Sequence, residues 1–193
     1  MAISYPLSLP GDGGVAAIKL SAANAVAVSR SPFTFSTQVH AYDGEMWSAS
    51  VTLPTYRKDL ADPWIAFLLS LRGQYGTFLL GDPDKAVPRG TAVAANISGS
   101  LGDRTVTVVM VGTLLAGDYI QLGSGASARL HKVLADRVGS GSLEIWPALR
   151  ADYSGAATLT DTKGVFRLAS NVTEWDINNA SFYGVQFEAM EDI

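Results

Sequence analysis

Apolar and polar residues alternate over several short stretches of this chain, and this pattern restricts the fold more than any other feature. The alternation runs through residues 33–39 and 47–53, and it returns near the end of the chain at 173–177 and 183–189. A period of two places the apolar side chains on one face of a β-strand. Few charges and many Gly, Ala, Val and Thr residues also favour strands. We therefore predict a mainly β protein.

The first two stretches are separated by Tyr42-Asp43-Gly44, which determines how they can pair. A two-residue Asp-Gly turn would set the apolar face of one strand against the polar face of the other. A three-residue loop restores the match, and Gly44 suits the left-handed position at its end. We predict a hairpin over 32–54 whose apolar face, with Phe33, Phe35 and Trp47, lies in the core.

The two stretches at the end of the chain predict a second hairpin by the same parity argument. Its loop would be Asn178-Asn179-Ala180. Trp175 and Phe187 then lie on apolar faces, and we predict both as core residues. An isolated terminal hairpin is only marginally stable, so its apolar face needs the first hairpin as a partner.

One segment has the spacing of a helix. Asp62 can cap its start and Pro63 suits its first turn, while Gly73 can end it. The predicted apolar face contains Leu60, Trp64, Phe67, Leu68 and Leu71. We therefore predict one helix with Trp64 in the core, followed by a short strand at 77–80.

The middle of the chain differs in composition from both ends. From about Gly90 large aromatic residues become rare, and they return after Lys163. The intervening part predicts short strands at regular spacing, as in a small β-barrel: Arg104–Met110, Asp118–Leu122, Ala128–Leu134, Leu143–Trp146 and Ala157–Thr160. We predict a discontinuous core of residues 1–88 and 163–193, a β-sandwich or split barrel with one helix, and an inserted small β-barrel of residues 89–162.

Composition excludes several classes of function. The chain has no cysteine, so it has neither disulfides nor thiolate metal sites. A net charge of −4 with scattered charges offers no basic patch for nucleic acid. The longest apolar run, Trp64–Leu71, is far shorter than the ~20 residues that span a bilayer. With no recognisable secretory signal, we expect a soluble protein made in a cytoplasm.

Few residues suggest a catalytic or metal-binding role. His40 and His131 are the only histidines, and neither has a second histidine at metal spacing. No G-x-S-x-G elbow and no phosphate loop are present. Asp82 and Asp84 could ligate calcium, but the further oxygens of a calcium loop are missing. We therefore expect no catalytic residue, no cofactor and no metal ion.

Two alternatives remain open at this level. Tyr119, Trp146 and Tyr153 in the predicted barrel could stack on sugars, or they could be core and rim residues. A spatial pair of carboxylates for glycan hydrolysis is compatible with the sequence, since such a pair leaves no sequence motif.

Six segments, spread over nearly the whole chain, are individually weak signals but specific in their order. They are YPLSLP, AVSRSPFTFSTQVHAYDGEMWSASVTLP, WIAFLLSLRGQYGTFLLGDPDKAVPRG, LLAGDYIQLGSGASARLHKVL, LEIWPALR and VFRLASNVTEWDINNASFYGVQFEAMED. Together these segments resemble the distal tail proteins of long-tailed, siphovirus-type bacteriophages and related prophages. One departure from the family pattern is Pro63, which stands where a plain helix former would be expected.

The resemblance implies a structural protein of the virion tail tip, made in the host cytoplasm, and no enzyme. It implies a homo-oligomeric ring, a hexamer, that joins the tail tube protein to the tail-tip hub and fibre proteins of the baseplate. The alternative is a tail-tip module whose barrel binds host-surface glycan. On this interpretation the Gly- and Pro-rich stretch after the helix forms structural corners, as does Gly44; the corner residues are Gly73, Gly76, Gly81, Pro83, Pro88 and Gly90.

Overall fold

The computed structural model describes residues 3–11, 14–179 and 181–193. Within them the chain forms fifteen β-strands and one α-helix, so the prediction of a mainly β protein is confirmed. Helix α1 (Lys58–Ser70) lies between β3 and β4. The strands are β1 (Ala17–Arg30), β2 (Thr37–Thr52), β3 (Tyr56–Arg57), β4 (Thr77–Leu80), β5 (Ala95–Gly99), β6 (Thr105–Met110), β7 (Thr113–Leu114), β8 (Tyr119–Leu122), β9 (Arg129–Val133), β10 (Arg137–Val138), β11 (Gly141–Trp146), β12 (Tyr153–Ala157), β13 (Gly164–Leu168), β14 (Trp175–Ile177) and β15 (Phe182–Glu191).

Strands from both ends of the chain form one antiparallel sheet, which we call the core sheet. Its order is β1-β2-β15-β13-β4, and the short strands β3 and β14 pair with the beginning of β15. Since β2 pairs with β15 from Ser48 to Thr52, the two chain ends are joined in the middle of the sheet.

Helix α1 covers one face of the core sheet and supplies much of its core. The rings of Trp64, Phe67, Phe78 and Phe187 follow one another edge to face, with centroids 5.6–6.1 Å apart. This geometry is favourable for aromatic pairs. Trp64 and Phe187 are thus buried where we predicted them.

The helix begins earlier than predicted. Its first residue is Lys58, so Asp62 is not the cap and Pro63 lies inside the helix. A proline this close to the start removes a single backbone bond, the one to the carbonyl of Asp59. Leu60 is more than one-third exposed and does not belong to the buried face. Gly73 follows the helix end with φ of +68°, as expected of a corner.

The middle of the chain forms a second sheet, which we call the barrel. Its order is β12-β5-β6-β11-β9-β8. Backbone hydrogen bonds of 2.9 Å between Gln121 and Thr158 join its two edges and nearly close it. Four of the predicted strands correspond to β6, β8, β9 and β11. Strand β5 is not predicted from the sequence, and β12 precedes its predicted position, because small residues weaken the alternation in both strands.

Two segments connect the barrel to the core sheet, and they lie side by side. The amide of Asp161 donates to the carbonyl of Ala86 at 2.8 Å. A Cβ on Gly81 would overlap the carbonyl oxygen of Thr162, and one on Gly90 would overlap that of Thr113. These two predicted corners are therefore glycine because two backbones approach too closely for a side chain.

The buried carboxylate of Asp118 holds the start of the barrel in place. It accepts hydrogen bonds from the backbone amides of Arg89, Gly90 and Leu115 at 2.8–3.1 Å. The remaining predicted corners lie upstream. Gly76 donates its amide to the carbonyl of Leu71, and Pro83 opens a turn of 3₁₀ helix (Pro83–Lys85); Pro88 immediately precedes the residues bound by Asp118.

The predicted hairpin over 32–54 is wrong. Strand β2 runs without a turn through Tyr42-Asp43-Gly44 and pairs with β1 on both sides of these three residues, while the chain reverses at Ser31–Ser36. The three residues are absorbed as a bulge, because Ala41 pairs with Val26 and Glu45 with Asn24. The small residues of β1 weaken its alternation, so the sequence does not mark β1 as the partner of β2.

Three residues predicted as core are exposed as a result. Phe33 is 90% exposed and Phe35 64%, since both belong to the turn rather than to a packed strand. Trp175 is 37% exposed, because β14 is a three-residue edge strand beside β15. The last residue of the predicted loop before β15, Ala180, lies outside the described residues.

Candidate interaction site

The distal halves of β1 and β2 extend beyond the body as a two-stranded ribbon of residues 24–44, which we call the arm. All but one of its residues, Ser31 in the turn, are exposed, whereas β2 becomes buried on alternate residues from Glu45 onward. At ~3.3 Å per residue, the eight steps from Thr37 to Glu45 correspond to a projection of about 26 Å. A two-stranded ribbon of this length is an unusual shape for a chain that functions alone.

One face of the arm is apolar and continuous with the core face of the sheet. Val26 and Val28 follow Ile18 and Leu20 at even spacing on β1, so all four side chains point to the same side. Val28 pairs directly with Val39 of β2. Near the body this face packs onto the core, but along the arm it is open to solvent, with Val28 and Val39 each 64% exposed. An apolar strip continuing past its own core indicates a site for another surface.

The tip of the arm is an ordered turn. The amide of Phe35 donates to the carbonyl of Ser31 at 3.0 Å, and the Ser31 hydroxyl accepts from the amides of Phe33 and Thr34. The Arg30 guanidinium lies over the ring of Phe35, 4.9 Å from its centroid. The tip therefore exposes two aromatic residues, Phe33 and Phe35, and one cation that lies over the ring of Phe35.

The base of the arm is clamped to the barrel by a buried carboxylate. Glu45 accepts from the Arg104 side chain at 2.9 Å and from the amide of Ala148 at 2.7 Å. Hydrogen bonding to Glu45 raises the pKa of Arg104 above its ordinary value. Arg150 donates to the backbone carbonyl of Glu45. A carboxylate as deeply buried as Glu45 needs such donors to offset its desolvation.

A second carboxylate, Glu191 at the end of β15, completes this clamp. One of its oxygens accepts from the Arg150 guanidinium at 3.0 Å and from the amide of Trp47 at 3.1 Å. Arg150 thus joins strands β2 and β15 to the barrel. The orientation of the arm relative to both sheets is set by these bonds.

Aromatic residues fill the same junction. Trp47 is buried, packs edge to face against Trp146 with centroids 4.4 Å apart, and lies 6.1 Å from Tyr119. Its indole N–H donates to the carbonyl of Leu130 at 2.9 Å. The Trp146 indole N–H donates to Asn24 at 2.8 Å. Tyr119 and Trp146 therefore both pack against Trp47 at the junction.

The two histidines occupy unrelated places. His40 lies on the exposed arm, with its ring edge to face with Tyr42 at 4.6 Å. His131 is buried in the barrel, where its Nδ1 is 2.7 Å from the carbonyl of Pro147. Burial, aided by the nearby cations Arg150 and Arg129, lowers the pKa of His131 to about 4. His131 is therefore uncharged at pH 7. The sequence does not predict this protonation state, because it does not show that the side chain is buried.

Asp82 and Asp84, the two candidate calcium ligands, are part of a turn. The Asp82 carboxylate accepts from the amide of Asp84 at 3.1 Å, as turn residues do. Across residues 3–11, 14–179 and 181–193 there is no group of three or more acidic or histidine side chains that could hold a metal ion. The same residues contain no helix that is long and apolar enough to cross a membrane.

Comparison with models of known protein families and with curated proteins finds no match.

Proposed function

We propose that this chain is a structural subunit of a phage tail, a distal tail adaptor that assembles into a ring between the tail tube and the tip. Two observations support this role. The sequence resembles distal tail proteins in several segments that follow one another in a specific order, and the arm exposes an apolar face. Its partners would be further copies of itself, the tail tube protein, and the hub and fibre proteins of the tip. The role would need no catalytic group, cofactor or metal ion.

The observation that carries the proposal is the open apolar face of the arm. A ribbon that exposes valines and two phenylalanines at its tip is stabilised when another surface covers it. Strand β1 is also the edge of the core sheet in the described part of the chain, so its backbone is available for pairing. A closed ring requires two different faces on each subunit, and the arm can supply one of them.

The alternative of a glycan-binding barrel has less support. Two of its three candidate aromatics, Tyr119 and Trp146, contact Trp47 at the junction. The third, Tyr153, donates its hydroxyl to the carbonyl of Ala156 at 2.6 Å. These contacts favour a barrel whose aromatics stabilise its own fold.

Serine substitutions at the arm tip test the proposal. We expect the double variant Phe33→Ser, Phe35→Ser to have the same free energy of unfolding as the wild type. We also expect this variant not to be incorporated into tails. Val93→Ser is the matched control, because Val93 is 95% exposed and precedes β5. The start of β5 pairs with the end of β6 that is farther from Arg104 and the base of the arm. Incorporation is measured by quantifying the subunit in purified particles. Normal incorporation of the arm variant would refute the role of the arm.

A further inference from the structure

A groove of about 670 Å³ lies beside β14, at the opposite side of the molecule from the arm. Its wall includes the partly exposed ring of Trp175 and the 64%-exposed side chain of Val172. Its charged lining residues are Glu174, Asp176 and Glu188, and none of the described residues that line it is cationic. We call this the acidic groove.

The strand register places the arm tip and the acidic groove at opposite ends of the core sheet. Within β2, Thr52 pairs with Gln186 and Ser48 with Met190, so the arm continues beyond the end marked by Glu191. Trp175 pairs with Val185, beyond the other end. The arm therefore points away from the groove of its own chain, and a tip that enters such a groove has to come from another molecule.

The tip and the acidic groove are complementary in charge and in surface chemistry. Arg30 is the only lysine or arginine in the arm, and it lies at the tip beside Phe35. The groove is lined by three carboxylates and by Trp175. Arginine and aromatic residues are the side chains enriched in the centres of protein interfaces.

We propose that the arm tip of one copy binds in the acidic groove of a second copy, with Arg30 facing Glu174 and Asp176 and the tip phenylalanines packing against Trp175. This rests on the proposed function and identifies both faces of the subunit contact. The contact is head to tail, because tip and groove are different surfaces. Each subunit then donates one tip and accepts another.

Cross-linking between introduced cysteines tests this contact, since the natural chain has none. Full-length Thr34→Cys and Val172→Cys proteins are mixed at high concentration and treated with a short bis-maleimide. Docking raises the effective concentration of the two thiols, so we expect the mixed pair to link at least about tenfold faster than Thr34→Cys with Val93→Cys. Equal rates for the two pairs, or preferred linkage of Thr34→Cys to itself, would overturn the inference.

A charge exchange tests the chemistry of the same contact. Introducing Arg30→Glu into the Thr34→Cys protein should slow linkage about tenfold, because like charges would then face each other. Glu174→Lys with Asp176→Lys on the Val172→Cys partner should restore it. Failure of this restoration would exclude the proposed ion pairing. If tails contain a ring of this protein but the tip and groove do not link, the inference falls and the proposed function stands; a single copy per tail would contradict the function itself.

Discussion

Replacing Trp47 by alanine would remove the central side chain of the junction between the core sheet and the barrel. The indole is 4% exposed, packs against Trp146, and donates its N–H to the carbonyl of Leu130. Truncating a large buried aromatic residue costs about 3–5 kcal/mol, and the lost hydrogen bond accounts for about 1 kcal/mol of it. Trp47→Phe keeps much of the packing, so we expect it to fall between wild type and Trp47→Ala.

Trp175→Ala is the matched control for this experiment. Its side chain is more than one-third exposed on a short edge strand, so we expect a loss below about 1 kcal/mol in the isolated chain. Urea unfolding followed by circular dichroism gives the free energy of unfolding of each variant. If Trp47→Ala and Trp175→Ala are destabilised equally, the distinction between buried junction and exposed edge is wrong.

Further predictions concern the barrel and its connections. Gly81→Ala should lower the free energy of unfolding by about 1–3 kcal/mol because the new Cβ overlaps a neighbouring backbone, whereas Gly11→Ala, with open space around it, should change little. Asp118→Ala leaves three backbone amides without their acceptor and should cost at least about 1–3 kcal/mol, measured by the same titration. Stability should fall as the pH drops from 6.5 to about 4, by on the order of 3 kcal/mol, because unfolded His131 binds a proton in this range and folded His131 does not. His131→Gln should flatten that pH dependence and His40→Gln should not; a flat wild-type profile would show that His131 is not buried as described.

The fold class and several elements could be predicted because they depend on local patterns. The alternation around Trp47 and in the barrel strands identifies β-structure whatever its partner, and the apolar spacing around Trp64 identifies the helix. Strand β4 followed from the same kind of local signal.

The arm could not be predicted because its formation depends on a long-range choice of partner. Tyr42-Asp43-Gly44 has good turn chemistry, yet pairing with β1 stabilises a continuous strand with a bulge at this place. The register predicted for a hairpin with this turn places Phe33 and Phe35 on a buried face. In the structure both residues belong to the exposed turn at the tip of the arm. The clamp of Glu45 and Glu191 was equally hidden, since buried acidic residues 146 positions apart in the chain leave no sequence pattern.

The number of copies of this protein in an intact tail decides whether the protein forms a ring. Electron microscopy of purified tails, with the subunit identified by labelling, gives both the copy number and the symmetry at the tip. We predict several copies in one closed ring, six in number by the family resemblance, with each arm reaching the next subunit. A single copy per tail, or a ring in which the arms remain free in solvent, would contradict this prediction.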